Sequence, residues 1–420
     1  MKSYHEEWEP AYSPDLVIEE ASRCLLCLDA PCSSSCPAGT DPAKFIRSVR
    51  FRNFKGAAET IRINNALGAV CARVCPTEKY CQLACSRTQI DRPIDIGRIQ
   101  KYVTDFEDRI QMKVYHKEVS TGKRVAIIGA GPSGLQAAAS LALKGHEVTI
   151  YESQEKAGGW LRYGIPEYRL PNEIVDKEIH RIEELGVKIV TNTNIDDNQL
   201  AKLLKEYDAV LLSTGSPTGR ILPIFEKAKN VETAVHFLAT VKEAKGNVEV
   251  PNKVLIIGGG DVAMDAATTL KALGAEDVVA VARETVARFP ASKEEYQTSH
   301  EARVSIIDGF TPVDVKDNTV TFEHVSMQGK LEITADLILI ACGQISSLES
   351  MKSIPQTRGE AETDGSLVKG FHNLFVAGDI VKGDKSVVYA VRTGKVAAND
   401  IDNYLKGGKK NGSSCNETIT

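Results

Sequence analysis

Up to about residue 115 the chain places apolar residues at three- and four-residue intervals. The pattern is clearest in AKFIRSVRFRNFKGAAETIRINN (43 to 65) and IGRIQKYVTDFEDRI (96 to 110), where it marks one buried face of a helix. These segments predict helices. From about Gly122 short β-branched runs appear, each followed by glycines and then an amphipathic stretch, the signature of parallel βαβ units. That alternation continues to Leu405. The final GGKKNGSSCNETIT is polar and glycine-rich and is expected to be a disordered tail.

Two glycine-rich turns organise the α/β part. The strand KRVAII runs into GAGPSG (Gly129, Ala130, Gly131, Pro132, Ser133, Gly134), then the helix LQAAASLALKG and a strand HEVTIYE that ends at Glu152. Gly129 permits the tight turn, Gly131 lets backbone approach a pyrophosphate, Gly134 allows close helix packing, and Glu152 is placed for ribose hydroxyls. The second turn follows KVLII, with Gly258, Gly260 and Ala263 at the three fingerprint positions and Gly259, Asp261 and Val262 between them. Its second strand, DVVAVAR, ends at Arg283 instead of an acid. Arginine there suits a 2′-phosphate, yet Glu284 beside it would repel one, and no further base follows until Arg288. NADH is therefore favoured, and NADPH stays open. DAVLLSTGS (208 to 216) and ADLILIACGQ (335 to 344, with Gly343) are further strands ending in glycine, and NLFVAGDIVKGDKSVVYAVRTGKVAA puts Gly378 and Asp379 between a strand and a helix.

The 420 residues suffice for two or three domains. With 51 Lys+Arg against 56 Asp+Glu the net charge is −5, which offers no field to hold a nucleic acid. No apolar run approaches the ~20 residues of a membrane span. The N-terminus MKSYHEEWEPAYSPD lacks signal-peptide character, so a cytoplasmic location is expected. Composition is unusual in one respect: of ten cysteines, eight lie between Cys24 and Cys85, leaving Cys342 and Cys415. Their spacings are C-x2-C-x4-C-x3-C-P and C-x3-C-P-x4-C-x3-C. Disulfides belong to oxidising compartments, so metal or redox chemistry is the better reading. Thiolate quartets hold iron–sulfur clusters or zinc; the C-x3-C-P endings favour clusters, because zinc ribbons pair two tight C-x2-C knuckles and only one occurs here. From arithmetic alone the eight cysteines divide into two sets of four thiolates.

The motifs CLLCLDAPCSSSCP, NFKGAAETIRINNALGAVCARVCP, PIDIGRIQ and GGWLRYGIPEYRLP, together with the late AGD, resemble the glutamate synthase small-subunit family, in particular its dihydropyrimidine dehydrogenase branch. The resemblance covers about residues 15 to 405. It implies an α/β fold with two Rossmann-like dinucleotide-binding domains, an FAD domain with an inserted NAD domain, preceded by an α-helical iron–sulfur domain. The implied bounds are 1–121 for the helical domain with two 4Fe-4S clusters, 122–216 plus 346–406 for the FAD-binding domain, 217–345 for the NAD(P)H-binding domain, and 407–420 for the tail. By position, the resemblance gives one cluster to Cys24, Cys27, Cys32 and Cys85, and the other to Cys36, Cys75, Cys81 and the side chain of Gln100. Cys71 is left over, and the all-cysteine division stays open beside this one. FAD is implied at Gly129 to Gly134 with Glu152, Gly159, Ile195, Gly343, Gly378, Asp379, Val387 and Val388, and NADH at Gly258 to Val262 with Arg283. Arg169 resembles an arginine near the flavin, although before Leu-Pro it could equally be a surface charge at a helix start. Asp261 has a family role near the nicotinamide or simply satisfies helix N-terminal donors.

Electrons taken from NADH need an outlet. A redox disulfide would require paired cysteines in the α/β part, where Cys342 stands alone and reads as a buried strand residue. The iron–sulfur domain is the remaining exit. A pyrimidine-reducing barrel needs ~250 residues, and the chain has no room for one after Leu405. The resemblance therefore implies an FMN and iron–sulfur partner subunit that interconverts uracil or thymine and their 5,6-dihydro forms. Two other functions compete: a glutamate synthase small subunit, and a zinc-stapled nucleotide-binding regulator. The eight histidines show no metal-ligand spacing and are given no chemistry.

Overall fold

The computed structural model describes residues 2–407, so Cys415 and residues 408–420 of the expected tail lie outside the described residues. The chain forms two compact units: a larger one of Pro10–Leu161, Glu173–Ser216 and Ser346 onward, and a smaller one of the N-terminal residues to Glu9, Arg162–Asn172 and Pro217–Ile345.

In the larger unit the helical part contains Pro14–Ser22, Pro42–Arg50, Phe54–Asn64, Gly68–Val74 and Ile96–Arg109. Four of these helices start where a side chain accepts an orphan amide: Ser13 from Leu16, Asp41 from Lys44, Asn53 from Gly56 and Asp95 from Arg98. The continuous pattern of 43–65 thus divides into two helices. Arg52 takes the left-handed conformation at φ 61°, and Asn53 caps the next helix. Both helices bury their apolar faces in one core, with Phe45, Ile46, Val49 and Ile61 packed beside Ile99 and Val103.

The same unit holds a seven-stranded sheet. Its five parallel strands run in the order Leu374–Val376, Ala209–Leu212, Arg124–Ile128, Glu147–Tyr151 and Lys188–Val190, with the short antiparallel strands Leu367–Val368 and Thr363–Asp364 at one edge. Helix Pro132–Leu143 follows the central strand and packs against Val387–Leu405 so closely that a Cβ on Gly394 would lie 2.3 Å from the Ser133 carbonyl oxygen.

Arg62 joins the helical part to the sheet part inside this unit. Its Nε donates to both Glu107 oxygens at 3.0 and 2.8 Å, and its terminal nitrogens donate to the Glu178 oxygens at 2.8 and 2.7 Å. All three side chains are buried. Glu178 belongs to helix Asn172–Glu183, and Gln136 of the glycine-turn helix adds a contact by accepting from Ala66 N at 2.9 Å.

The smaller unit is a five-stranded parallel sheet in the order Val231–Thr233, Leu337–Ile340, Lys253–Ile257, Asp277–Val281 and Ser305–Ile307, accompanied by a three-stranded antiparallel meander. Two segments join it that the implied domain bounds assign elsewhere: residues to Glu9 fall within the helical bounds and Arg162–Asn172 within the flavin bounds. Aromatic packing accounts for this. Trp8 stacks on Tyr168 at 4.0 Å between ring centroids, and Tyr4 and Tyr168 share a core with Met264 and Leu270. Buried Lys242 then ties the segment down by donating to the carbonyls of Ile165 and Leu170 at 2.5 and 2.7 Å.

Removing one partner from a buried charge network leaves the others unpaired in low dielectric. Arg62→Met should therefore lower the unfolding free energy of the larger unit by about 3–5 kcal/mol, whereas Lys55→Met, at an exposed pair with Glu59, should leave the transition in place. Denaturant titration followed by circular dichroism measures both.

Candidate functional site: two thiol groups and two nucleotide turns

The cysteines gather into two groups, both in the larger unit. Cys24, Cys27, Cys32 and Cys85 line one pocket, closed by Ala43, Ile46, Ile94 and Ile96. Cys85 is 49 residues beyond the first cysteine run; the fold brings it back. Leu26, at φ 55°, turns its amide toward the Cys24 sulfur, and the Ser33 amide points at Cys32 while the Ser33 hydroxyl donates to Asp41 Oδ1 at 2.6 Å. The Cys27 thiol lies 3.5 Å from Ser86 Oγ. Burial raises the Cys24 thiol and pushes Cys32 up to about 11, against these donors. Half-buried sulfurs that each receive an amide donor are readily held as thiolates by a bound cation, which is the chemistry of an iron–sulfur cluster. Among the described residues no three His, Cys, Asp or Glu side chains converge on the position of a single metal ion; the four thiols ring a cavity.

The second group contains Cys36, Cys71, Cys75 and Cys81. Burial raises Cys75, and the neighbouring Cys71, Cys81 and Cys36 sulfurs raise it further. Cys71 lies one helical turn before Cys75, whose amide donates to the Cys71 carbonyl at 3.1 Å. Burial pushes the Cys71 thiol up to about 12 although the Asn65 side chain is bonded to it. Gln100 projects from helix Ile96–Arg109, and its Nε2 donates to the Gly68 carbonyl at 2.8 Å. A carbonyl can only accept, so this contact fixes the amide with Oε1 as its open end.

At the first turn Gly129 has φ 102°, and a Cβ there would lie 2.6 Å from the Ser213 carbonyl oxygen. A Cβ on Gly134 would lie 2.1 Å from the Gly129 oxygen, whereas one on Gly131 would meet nothing within 4 Å. The turn is thus closed behind and open at Gly131. Helix Pro132–Leu143 has no side-chain cap, which leaves its first amides for an anion. Gly159 packs against the turn beside that opening, with its added Cβ 2.9 Å from Gly131 Cα. Glu152 directly follows the second strand and already accepts from the Ala130 and Gln154 amides at 2.7 and 2.9 Å. Gly378 abuts the same turn, its Cβ position 2.5 Å from Ser133 Oγ, and burial raises the adjacent Asp379. Val387 and Val388 begin helix Val387–Leu405, again without a side-chain cap, and Ile195 packs at the edge of the sheet core.

The smaller unit repeats the arrangement. A Cβ on Gly258 would lie 2.5 Å from the Ala341 oxygen, one on Gly260 would meet nothing within 4 Å, and one on Gly259 would strike Ala282 and the Phe289 ring. Ala263 is fully buried, with Val262 beside it in helix Asp261–Ala272. Asp261 accepts from Ser292 N at 2.6 Å, so it pins the loop that follows Arg283. Arg283 and Glu284 are both exposed. Gly343, at φ 98°, accepts from Arg220 N at 3.1 Å; Cys342 is not a buried strand residue but lies half-buried in the bend just after strand Leu337–Ile340, where its thiol donates to the Ile257 carbonyl at 3.3 Å. Arg169 is not a surface charge. Its guanidinium lies 2.8 and 2.7 Å from the Asp265 oxygens and 2.5 Å from Glu295, so its donors are taken up within the smaller unit. Burial raises both carboxyls against that single cation.

Several contributors carry no sequence signal. Leu26 is an ordinary residue in a left-handed turn, and Asn65 acquires its role from a fold contact with Cys71. Ser213, which donates to the Gly129 carbonyl at 2.9 Å, sits in the recognisable DAVLLSTGS strand.

Residues 1–112 match the family model described as dihydropyrimidine dehydrogenase domain II, 4Fe-4S cluster, and residues 123–394 match that of pyridine nucleotide-disulphide oxidoreductase. The chain is 54% identical over 414 residues to the NAD-dependent dihydropyrimidine dehydrogenase subunit PreT homolog of Salmonella typhi, covering 97% of this chain and 98% of that protein. The chain belongs to the PreT family. The Escherichia coli (strain K12) PreT subunit is likewise 54% identical over 408 residues, with 97% and 98% covered. Among solved structures, Mycobacterium tuberculosis FprA in complex with NADPH is similar at a TM-score of 0.58 and 17% identity, covering 68% of this chain and 85% of that one. At that identity it shows the fold alone.

The two kinds of glycine separate nucleotide binding from folding. Gly131→Ala, at φ −75° with open space beyond, should leave the fold intact and yield protein depleted of flavin. Gly134→Ala, against backbone, should lower the thermal transition as well. Flavin absorbance and calorimetry on both variants check this.

Proposed function

We propose that the chain oxidises NADH through FAD and passes the electrons by way of two 4Fe-4S clusters to a partner subunit that interconverts uracil or thymine and their 5,6-dihydro forms. One observation carries the reading: a single compact unit holds both the flavin-type glycine turn and the two four-cysteine groups, so an electron leaving the flavin has an outlet within that unit. When bound, FAD accepts a hydride and releases its two electrons one at a time, which single-electron clusters require.

The residues divide the work as follows. Gly258, Gly260 and the amides of helix Asp261–Ala272 would hold the NADH pyrophosphate, and Asp261 fixes the loop beside it. Gly129, Gly131 and Gly134 would cradle that of FAD, while Gly159 and Gly378 pack against the turn. Cys24, Cys27, Cys32 and Cys85 would bind one cluster, and Cys36, Cys75, Cys81 and Gln100 the other. The open Oε1 of Gln100 supports the last assignment. The domains would be a helical iron–sulfur domain over 1–121, a flavin domain over 122–216 plus 346–406 and an inserted nucleotide domain over 217–345, except that residues to Glu9 and the Arg162–Asn172 segment pack with the last. The partner would be an FMN and iron–sulfur subunit carrying the pyrimidine site, and the complex cytoplasmic; among the described residues no helix is long and apolar enough to cross a membrane.

Anaerobically purified chain should contain FAD and about eight irons, two clusters of four, and Cys71→Ala should keep them all. A fall to about four irons in that variant would make Cys71 a ligand and remove Gln100. Iron and acid-labile sulfide assays decide it, and uracil reduction by NADH on adding the partner subunit tests the reaction.

A further inference from the structure

Helix Val387–Leu405 begins at the proposed flavin residues Val387 and Val388 and passes the loops that carry Cys36 and Cys81. Lys395, two turns along, donates from Nζ to the Ala38 carbonyl at 2.5 Å. Ala38 is the second residue after Cys36, and a Cβ on the adjoining Gly39, at φ 70°, would lie 3.5 Å from the same Nζ. The half-buried ammonium is therefore seated in the turn that follows Cys36-Pro37, with the Cys36 side chain close by. A second tie runs in parallel. Tyr80, the residue before Cys81, donates to Asp384 and lies 3.5 Å from Ser386, both just ahead of the helix. The loops bearing Cys36 and Cys81 are thus fastened to one helix at two points, and only one of those points brings a cation.

No role described so far uses Lys395. We propose that it is a positioning residue that raises the reduction potential of the cluster bound through Cys36, Cys75 and Cys81, an inference that rests on the ligand set proposed above. Reduction adds one electron, and hence one negative charge, to a centre already made anionic by its thiolates. A cation held at a fixed place in this half-buried turn stabilises that added charge more than it stabilises the oxidised form. The hydrogen bond to Ala38 supplies the fixed place. Lys395 would in this way favour acceptance of electrons by the cluster group that abuts the flavin-side helix.

The test is an anaerobic redox titration of the full chain, monitored by electron paramagnetic resonance, on wild type, Lys395→Met and Lys395→Arg. Lys395→Met should retain full iron and flavin while one cluster's reduction equilibrium constant falls by roughly three- to tenfold, about 30–60 mV at 59 mV per tenfold for one electron. Lys395→Arg should restore most of the shift. Unchanged midpoints in Lys395→Met would overturn the proposal. So would an equal shift in Lys395→Arg, because charge would then not be the cause, and so would loss of about four irons in Lys395→Met, which would reduce the residue to a loop tether. Wild-type protein without a second cluster signal would instead overturn the ligand reading beneath it.

Discussion

Burying Arg62 between Glu107 and Glu178 strips three charged groups of water, a cost recovered only when every donor finds an acceptor in good geometry. Here the guanidinium is matched on both sides, and Glu178 also accepts from the Ala69 amide at 3.2 Å. Such a network tolerates little displacement, because slippage would leave a bare charge in the interior. It therefore holds the cysteine-bearing helices in one register against the nucleotide fold. Ala69 and Cys71 share a seven-residue helix, so the same interaction that joins the two parts also sets the position of the second thiol group.

Thiol placement then follows from short-range chemistry. Helix caps at Ser13 and Asp41 bracket the first cysteine run, and the left-handed turn at Leu26 directs an amide at sulfur. Burial opposes ionisation of these thiols, whereas the donors around them favour it. Two such groups beside a flavin-type turn suit single-electron carriers, since a cluster spreads one added charge over several atoms and needs little rearrangement to accept it. The two glycine turns behave alike for the same steric reason: the first glycine backs onto a strand carbonyl and the second faces open space.

Much of this organisation is legible in the chain itself. The G-x-G-x-x-G and G-x-G-x-x-A turns stand where strand meets helix, because glycine at Gly129 and Gly258 answers a backbone constraint that no other residue meets. Membership of Cys85 in the first thiol group is not legible from spacing, since it depends on how far the fold returns the chain, and it came from the family resemblance. Arg169 shows the limit of reading by motif. Its buried partners Asp265 and Glu295 are remote in sequence, so nothing local signals that its charge is taken. The N-terminal Tyr4 and Trp8 are similar, as stacking on Tyr168 assigns them to a unit that neither charge nor periodicity suggests. The break of 43–65 into two helices at Arg52 has no signature in the sequence, because the apolar spacing continues across the turn.

The central claim is a path from NADH through one flavin to iron–sulfur centres within a single chain. Mixing anaerobic protein with NADH and freezing for electron paramagnetic resonance tests it most directly. Such a path requires flavin bleaching to be followed by the signals of reduced 4Fe-4S clusters without any partner present. Bleaching of the flavin with clusters that stay oxidised toward NADH yet reduce with dithionite would contradict it.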